Sequence, residues 1–271
     1  MNLHDHYASI HFYLWGGYFW EAREEASKAA AQFDDSTARF WQAYCELRLG
    51  RRAQAQELAS LSSDAETRPM WARLKAMLGG GGTETAAGGS DFAKANLVFL
   101  SLYEGDERGA RDQSRKLGAS HHFADLARAA VALRTSDPSG LDTASEAQRF
   151  IESARAAKPD APLAKILCLR VAEARGDIAE ASRLATGLEL PDSRICDLEK
   201  AAAASAAGVW QAAAASAASA MAWGETNLPA LEAAVLAALG GGGAVESFFV
   251  SALEAVDSPY GFEAAGAERL L

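Results

Sequence analysis

Residues 174–185 of the chain are "ARGDIAEASRLA". In this stretch, Gly176 is followed five residues later by the small residue Ala181. The tripeptide Arg175-Gly176-Asp177 is the sequence that many adhesion proteins display to cell-surface receptors. Alternatively, Gly176 forms the turn between two helices, and Ala181 is the small residue at which those helices pack together. The rest of the sequence favours one of these two interpretations.

The same spacing of a glycine and a small residue recurs along the chain. It occurs at Gly17 and Ala22, Gly50 and Ala55, Gly105 and Ala110, Gly176 and Ala181, and Gly208 and Ala213, with Asp142 in place of glycine before Ala147. The intervals are 33 residues from Gly17 to Gly50, 34 from Asp142 to Gly176 and 32 from Gly176 to Gly208. A period near 34 residues, with a small residue after the turn, is typical of the tetratricopeptide repeat, a pair of antiparallel helices.

We therefore predict an all-α fold, a right-handed tetratricopeptide-like solenoid of about six to seven helical hairpins. It would extend as a single array over residues 1–271. The run "GGGGTETAAGGS" predicts a flexible insert at residues 79–90, because packed elements do not tolerate so many glycines. Residues 257–271 have weak apolar periodicity and are expected to form a weakly structured tail.

Composition limits the classes of function. The net charge of −10 disfavours binding to nucleic acid or to an anionic membrane, since both need clustered Lys and Arg. The opening stretch lacks the pattern of a signal peptide, and the most apolar run, 201–223, is too weakly hydrophobic to predict a membrane span. The three cysteines are far apart, which predicts reduced thiols. We expect an intracellular protein without membrane insertion, and this disfavours the adhesion interpretation of residues 175–177.

No motif in the sequence predicts catalysis, a cofactor or a metal. The glycine runs at residues 79–90 and 240–243 are not followed by the lysine of a phosphate-binding loop, and no G-x-S-x-G motif occurs. His4 and His6 are two residues apart, so on a helix they point in different directions and do not share a metal ion. We expect a protein that is not an enzyme and that needs no cofactor.

Large aromatic side chains cluster around the first turn, at Phe12, Tyr13, Trp15, Tyr18, Phe19 and Trp20. Some of these rings must fill the core of the first hairpin, and the others are candidates for a docking surface. Inner helices that line a concave groove are the alternative binding surface. Our candidate partner-binding residues are Trp15, Trp20, Arg39 and Trp41, and we expect replacement of Trp20 and Trp41 by alanine to weaken partner capture without unfolding.

The opening stretch resembles one known family. The run with the pattern "YF…AS…F…RF-x-x-AY…G" is carried by Ile10, Tyr13, Tyr18, Phe19, Ala26, Ser27, Phe33, Arg39, Phe40, Ala43, Tyr44 and Gly50. It is similar to the N-terminus of the large tetratricopeptide-repeat subunit of intraflagellar transport complex A. The resemblance implies a scaffold that packs against other subunits of that complex and supports retrograde ciliary transport and protein trafficking into cilia. It also implies a location in the cytoplasm, the cilium or flagellum, and the cytoskeleton-associated basal body.

The sequence departs from that family in two respects, and two other functions stay open. Family members are far longer, and the glycine-rich insert and the high alanine content are not part of the family pattern. One alternative is a vesicle-coat subunit of the epsilon type. The other is a peptide-binding tetratricopeptide adaptor, which needs a clamp of Lys, Arg and Asn side chains on successive first helices. The candidates for such a clamp are Lys94, Asn96, Lys165 and Arg170.

Overall fold

The structure is a computed structural model of the chain, and it describes residues 1–61, 64–80, 90–118, 121–134, 143–221 and 228–241. Within these ranges all regular secondary structure is helical, without a strand. Several sequence predictions lie outside the described residues: most of the glycine-rich insert (81–89), the turn at Asp142 and the tail (257–271).

The chain divides into two compact units, Met1–Arg175 and Gly176–Leu271. The described part of the first unit contains ten helices: α1 (Leu3–Gly16), α2 (Phe19–Phe33), α3 (Ser36–Arg48), α4 (Arg52–Ser60), α5 (Arg68–Met77), α6 (Asp91–Tyr103), α7 (Glu107–Ser114), α8 (His122–Arg134), α9 (Thr143–Ala157) and α10 (Pro162–Ala174). The described part of the second unit contains α11 (Ile178–Thr186), α12 (Ser193–Ala206), α13 (Trp210–Met221) and α14 (Leu228–Gly240). That one repeat array spans residues 1–271 stays a prediction.

The predicted turns are present where the glycine spacing places them. Each predicted turn glycine has a positive φ: 79° at Gly17, 74° at Gly50, 76° at Gly105, 68° at Gly176 and 73° at Gly208. The small residue that follows each turn is buried in every case: Ala22, Ala55, Ala110, Ala147, Ala181 and Ala213. The prediction of helical hairpins closed by glycine and packed through alanine is therefore confirmed.

The residue that directly follows the turn glycine caps the next helix in some hairpins and not in others. Asp106 and Asp177 are N-cap residues, and each side chain accepts a hydrogen bond from the backbone N–H three residues later, at 2.9 and 3.0 Å. Asp177 therefore serves the turn, as the helical interpretation of residues 174–185 predicts. The equivalent residues of the first two hairpins, Tyr18 and Arg51, make no side-chain cap. A cap of this kind contributes about 1 kcal/mol, so α2 and α4 begin without that contribution.

Helix α1 is the centre of the first unit. Every residue from Asp5 to Leu14 is buried, so α1 has no solvent-facing side along this length. It contacts α2 and α10 along the backbone. The His11 ring centroid lies 5.2 Å from that of Trp41 on α3, 4.2 Å from that of Phe99 on α6 and 5.5 Å from that of Phe123 on α8. The first unit is thus built around its first helix.

Polar side chains of α1 are paired inside this core. A buried polar group without a partner is costly, so each pairing fixes α1 relative to another element. The pairs are His6 Nδ1 with Glu25 Oε1 of α2 at 2.7 Å, the Tyr7 hydroxyl with the carboxylate of Asp35, which caps α3, and His11 Nδ1 with the Tyr103 hydroxyl of α6 at 2.8 Å.

Alanines bring the helices of the second unit close together. Ala201 of α12, Ala217 of α13 and Ala234 of α14 form one buried cluster. This agrees with the low side-chain volume of the α13 sequence. Gly240, at the end of α14, lies directly against the Trp210 ring: a Cβ atom at Gly240 would be 2.3 Å from Trp210 Cζ3. The contact requires the absence of a side chain at residue 240.

The contact between Gly240 and Trp210 predicts an unusual response to alanine. A change from glycine to alanine at a helical position usually stabilises a protein by about 0.4–1 kcal/mol. We expect Gly240→Ala to lower the free energy of unfolding instead, by about 1 kcal/mol or more, because the new methyl group overlaps the ring. In a Trp210→Ala background the same change should be stabilising. Urea unfolding followed by far-UV circular dichroism measures both, and a stabilising Gly240→Ala in the otherwise unchanged chain would contradict the contact.

Candidate interaction surfaces

The inner side of the first unit is filled by α1. Between α1, α6 and α10 there remains a cavity of only about 10 Å³, space for about one water molecule. It is lined by His11, Phe12, Trp15, Phe99, Tyr103, Leu163, Ile166, Leu167 and Arg170. A ligand site typically needs about 300–1,000 Å³. This cavity is therefore too small for a ligand, because large rings from α1 and α6 fill the space beside α10. The predicted binding groove stays a prediction.

The aromatic cluster around the first turn is divided between core and surface. Phe12 and Tyr13 are buried, and Trp15, Tyr18, Phe19 and Trp20 are half-buried. The Trp15 ring lines the small cavity, and the guanidinium of Arg134 lies 4.9 Å from its centroid. The rings before residue 15 thus belong to the core, and the rings from Trp15 onward are partly accessible to a partner.

Trp20 is held between two arginines at the start of α2. The guanidinium carbons of Arg51 and Arg23 lie 4.7 and 5.3 Å from its ring centroid. Both arginines pair with Glu46, whose side chain is only 3% exposed: Arg23 Nε is 2.8 Å from Oε1 and Arg51 Nη1 is 3.7 Å from Oε2. The buried carboxylate thus fixes two cations on an aromatic face, an arrangement typical of binding hot spots.

A second arginine–aromatic contact lies beside the first. The Arg48 guanidinium is 4.4 Å from the Phe19 ring centroid, and Arg48 Nη1 donates to the Tyr44 hydroxyl at 2.9 Å. Burial raises the pKa of Tyr44 to about 12, although Arg48 acts in the opposite direction. The hydroxyl is therefore neutral at physiological pH and accepts the hydrogen bond as a phenol.

Arg39 lies at a different place from Trp20. It contacts the Asp34 carboxylate beyond the C-terminal end of α2, whereas Trp20 is at the start of that helix. At 1.5 Å per residue the two ends of α2 are about 20 Å apart. Arg39 borders a surface depression of about 320 Å³ that is lined by Phe33, Asp34, Asp35, Ser36, Arg39, Leu58, Leu61, Asp64 and Trp71. The predicted candidates therefore do not form a single patch.

Trp41 is a core residue. It is fully buried, and its Nε1–H donates to Asn96 Oδ1 at 2.9 Å. The prediction that Trp41 contacts a partner is corrected accordingly, and so is the expectation that its replacement leaves the fold intact. Asn96 is also fully buried and donates to the Phe92 carbonyl at 2.9 Å, so it is unable to serve in the clamp of a peptide adaptor. Sequence alone did not separate Trp41 from Trp20, because the same residue type serves both roles.

The described residues contain no group of three His, Cys, Asp or Glu side chains that could hold a metal ion. His122 is the first residue of α8, His121 directly precedes it, and the His122 ring centroid is 5.6 Å from that of His4. Burial raises the pKa of the Cys45 and Cys196 thiols, so neither is a reactive thiolate. Among the helices of the described ranges, none is both long and apolar enough to cross a membrane.

Comparison with known proteins supports the fold. No family model and no curated protein matches the sequence. A tetratricopeptide repeat protein from Parabacteroides merdae, known from its crystal structure, is similar in structure with a TM-score of 0.56 and 14% sequence identity. The match covers 96% of this chain and 94% of that one. The fold is a tetratricopeptide-like helical repeat. This confirms the predicted all-α solenoid class, and at this identity the likeness extends to the fold alone.

The burial of Trp41 predicts that this side chain stabilises the fold. We expect Trp41→Ala to lower the free energy of unfolding by about 3–5 kcal/mol, because it leaves a cavity and removes the donor to Asn96. Trp20→Ala, at a half-buried site, should cost clearly less. Urea unfolding of both variants tests this, and equal costs would contradict the assignment of Trp41 to the core and Trp20 to the surface.

The buried imidazole of His11 should make the folded chain less stable in acid. Burial lowers the pKa of His11 from 6.5 to about 3, so below pH 6.5 the unfolded chain binds a proton that the folded chain does not. The free energy of unfolding should therefore fall with decreasing pH, by up to about 1.4 kcal/mol per pH unit from this residue. Burial also lowers the pKa of His4, and lowers that of His122 to about 4, which acts in the same direction.

The measurement is the urea midpoint and slope between pH 6.5 and 4.5 for the chain and two variants. His11→Leu should flatten the pH dependence. Tyr103→Phe removes the hydrogen bond to His11 but keeps the buried imidazole, so it should destabilise the chain while preserving the pH slope. A His11→Leu variant with an unchanged slope would show that this imidazole does not cause the effect.

Proposed function

We propose that this chain is a non-enzymatic scaffold that binds other proteins through its outer surface. The observation that carries the proposal is the rigid arrangement of Trp20, Arg23 and Arg51 on the buried Glu46. Tetratricopeptide-like folds commonly present such fixed surfaces to partners. A preordered surface loses little side-chain entropy on binding, and tryptophan and arginine contribute more than other residues to protein interfaces. Trp15, Trp20 and Arg39 stay candidates for partner contact.

More specifically, we propose that the scaffold is a subunit of intraflagellar transport complex A. The support is the resemblance of the opening stretch. Six of its twelve matching residues are core residues of the first two hairpins: Ile10, Tyr13, Ala26, Phe40, Ala43 and Tyr44 are all buried. The partners would be other subunits of that complex, and the role would be retrograde ciliary transport and ciliary protein trafficking. The location would be the cytoplasm, the cilium and the basal body.

Affinity purification from ciliated cells tests this assignment. A tagged chain should enrich the other complex A subunits, identified by mass spectrometry, over a tag-only control. Enrichment of Golgi coat proteins would instead favour a vesicle-coat subunit of the epsilon type. Recovery of proteins that share a C-terminal peptide motif would favour the peptide-binding adaptor.

Trp20 provides a point-mutation test of the scaffold surface. We expect Trp20→Ala to reduce partner recovery several-fold, because it removes the aromatic face on which two guanidinium groups rest. Arg115→Ala, at the exposed residue directly after α7, is a control that should leave recovery unchanged. Circular dichroism verifies that both variants stay folded. Full recovery with a folded Trp20→Ala variant would contradict a role for this surface.

A further inference from the structure

The turns of the first two hairpins carry a concentration of positive charge. We call the surface formed by Trp20, Arg23, Arg48, Arg51 and Arg52 the arginine edge. Arg23 and Arg51 share the single carboxylate of Glu46. Within the described ranges, Arg48 and Arg52 have no carboxylate partner: Arg48 donates to the Tyr44 hydroxyl, and Arg52 donates to the Leu78 carbonyl. Two of the four guanidinium groups thus contact a carboxylate and two contact neutral oxygens, on a chain whose net charge is −10.

The carboxylates of the next turn are already paired with another arginine. Arg48 Nη1 reaches the Tyr103 carbonyl at 3.4 Å, which places it next to Glu104. Glu104 Oε2 is 2.6 Å from Arg73 Nη2, and Asp106 Oδ2 is 3.9 Å from the same nitrogen. Within the described ranges, Glu46 is the carboxylate that pairs with Arg23 and Arg51, and Arg48 and Arg52 contact only neutral oxygens.

The start of α4 differs from the starts of α7 and α11. Where α7 and α11 begin with a capping aspartate, α4 begins with Arg51 and Arg52 and has no side-chain cap. Positive charge at a helix N-terminus opposes the helix dipole, and the first N–H groups of α4 lack the acceptor that an aspartate would supply.

Aromatic faces complete the surface. Trp20 and Phe19 are half-buried, and each supports at least one guanidinium within 5 Å of its ring centroid. The guanidinium heads of Arg48 and Arg52 belong to exposed residues, so they are accessible. Guanidinium groups bind carboxylates through two parallel hydrogen bonds, and the planar rings hold the arginines in place for that contact.

We propose that the arginine edge binds an acidic segment, rich in Asp and Glu, of a partner protein. The carboxylates of such a segment complement the unpaired guanidinium groups and supply the acceptors that the start of α4 lacks. This inference rests on the proposed scaffold function and specifies the chemistry of one partner surface.

Fluorescence anisotropy with a fluorescein-labelled peptide of alternating glutamate and serine tests the proposal. The full chain should bind this peptide, more weakly as salt increases, and should not bind the matching peptide of lysine and serine. Arg48→Glu with Arg52→Glu should weaken binding by about tenfold or more. The matched control, Arg108→Glu with Arg115→Glu, makes the same charge change at an exposed residue of α7 and at the exposed residue directly after it, and should alter binding by less than about twofold.

Three results would overturn the inference: no binding by the unchanged chain, unchanged binding by the Arg48/Arg52 variant, or an equal loss in the α7 control, which would indicate a response to net charge alone. If charge reversal unfolds the chain, Arg48→Gln with Arg52→Gln decides the question by the same criterion. Peptide binding without recovery of complex A subunits would contradict the complex assignment only. Recovery of those subunits without peptide binding would contradict the arginine edge only.

Discussion

The burial of α1 on all sides is the constraint on which the first unit depends. A helix enclosed in this way has no solvent to satisfy its polar side chains, so each must find a partner within the core. His6 pairs with Glu25, Tyr7 with Asp35, and His11 with Tyr103. Because these partners come from α2, the start of α3 and α6, the hydrogen bonds fix the position of α1 relative to three elements at once. Apolar packing alone would constrain that position less strongly.

Filling the interior with α1 has a consequence for binding. Inner helices of tetratricopeptide-like repeats often line a groove, but here the rings of α1 take that space and leave room for about one water molecule. This place therefore has no room for a partner, and exposed side chains elsewhere on the first unit are the candidates for partner contact. The turns of the first two hairpins are suited to this role, because Glu46 is buried below the surface and holds arginine side chains that stay partly accessible. The buried Glu46 carboxylate thus connects the core to the arginine side chains at the surface.

The repeats differ in whether the residue after the turn glycine caps the next helix. Asp106 and Asp177 use that position to begin a helix and contribute to local stability. Tyr18 and Arg51 make no capping hydrogen bond, although the glycine before each has a positive φ. The backbone geometry of the turn is therefore constant, while the side chain after it varies between a stabilising and a surface role. This separation allows a repeat protein to change its binding surface without changing its fold.

The sequence by itself determined the helical class, the positions of the turns and the close-packed alanines, because each depends on residues only a few positions apart. Glycine accepts a positive φ wherever it stands, and an alanine five residues later permits helix contact in every hairpin. Only the tertiary structure decided that Trp41 is buried, that Arg39 lies about 20 Å of helix away from Trp20, and that α1 reaches α10. These facts depend on contacts between residues far apart in the chain, such as Trp41 with Asn96, and a periodic pattern does not specify which distant side chains meet.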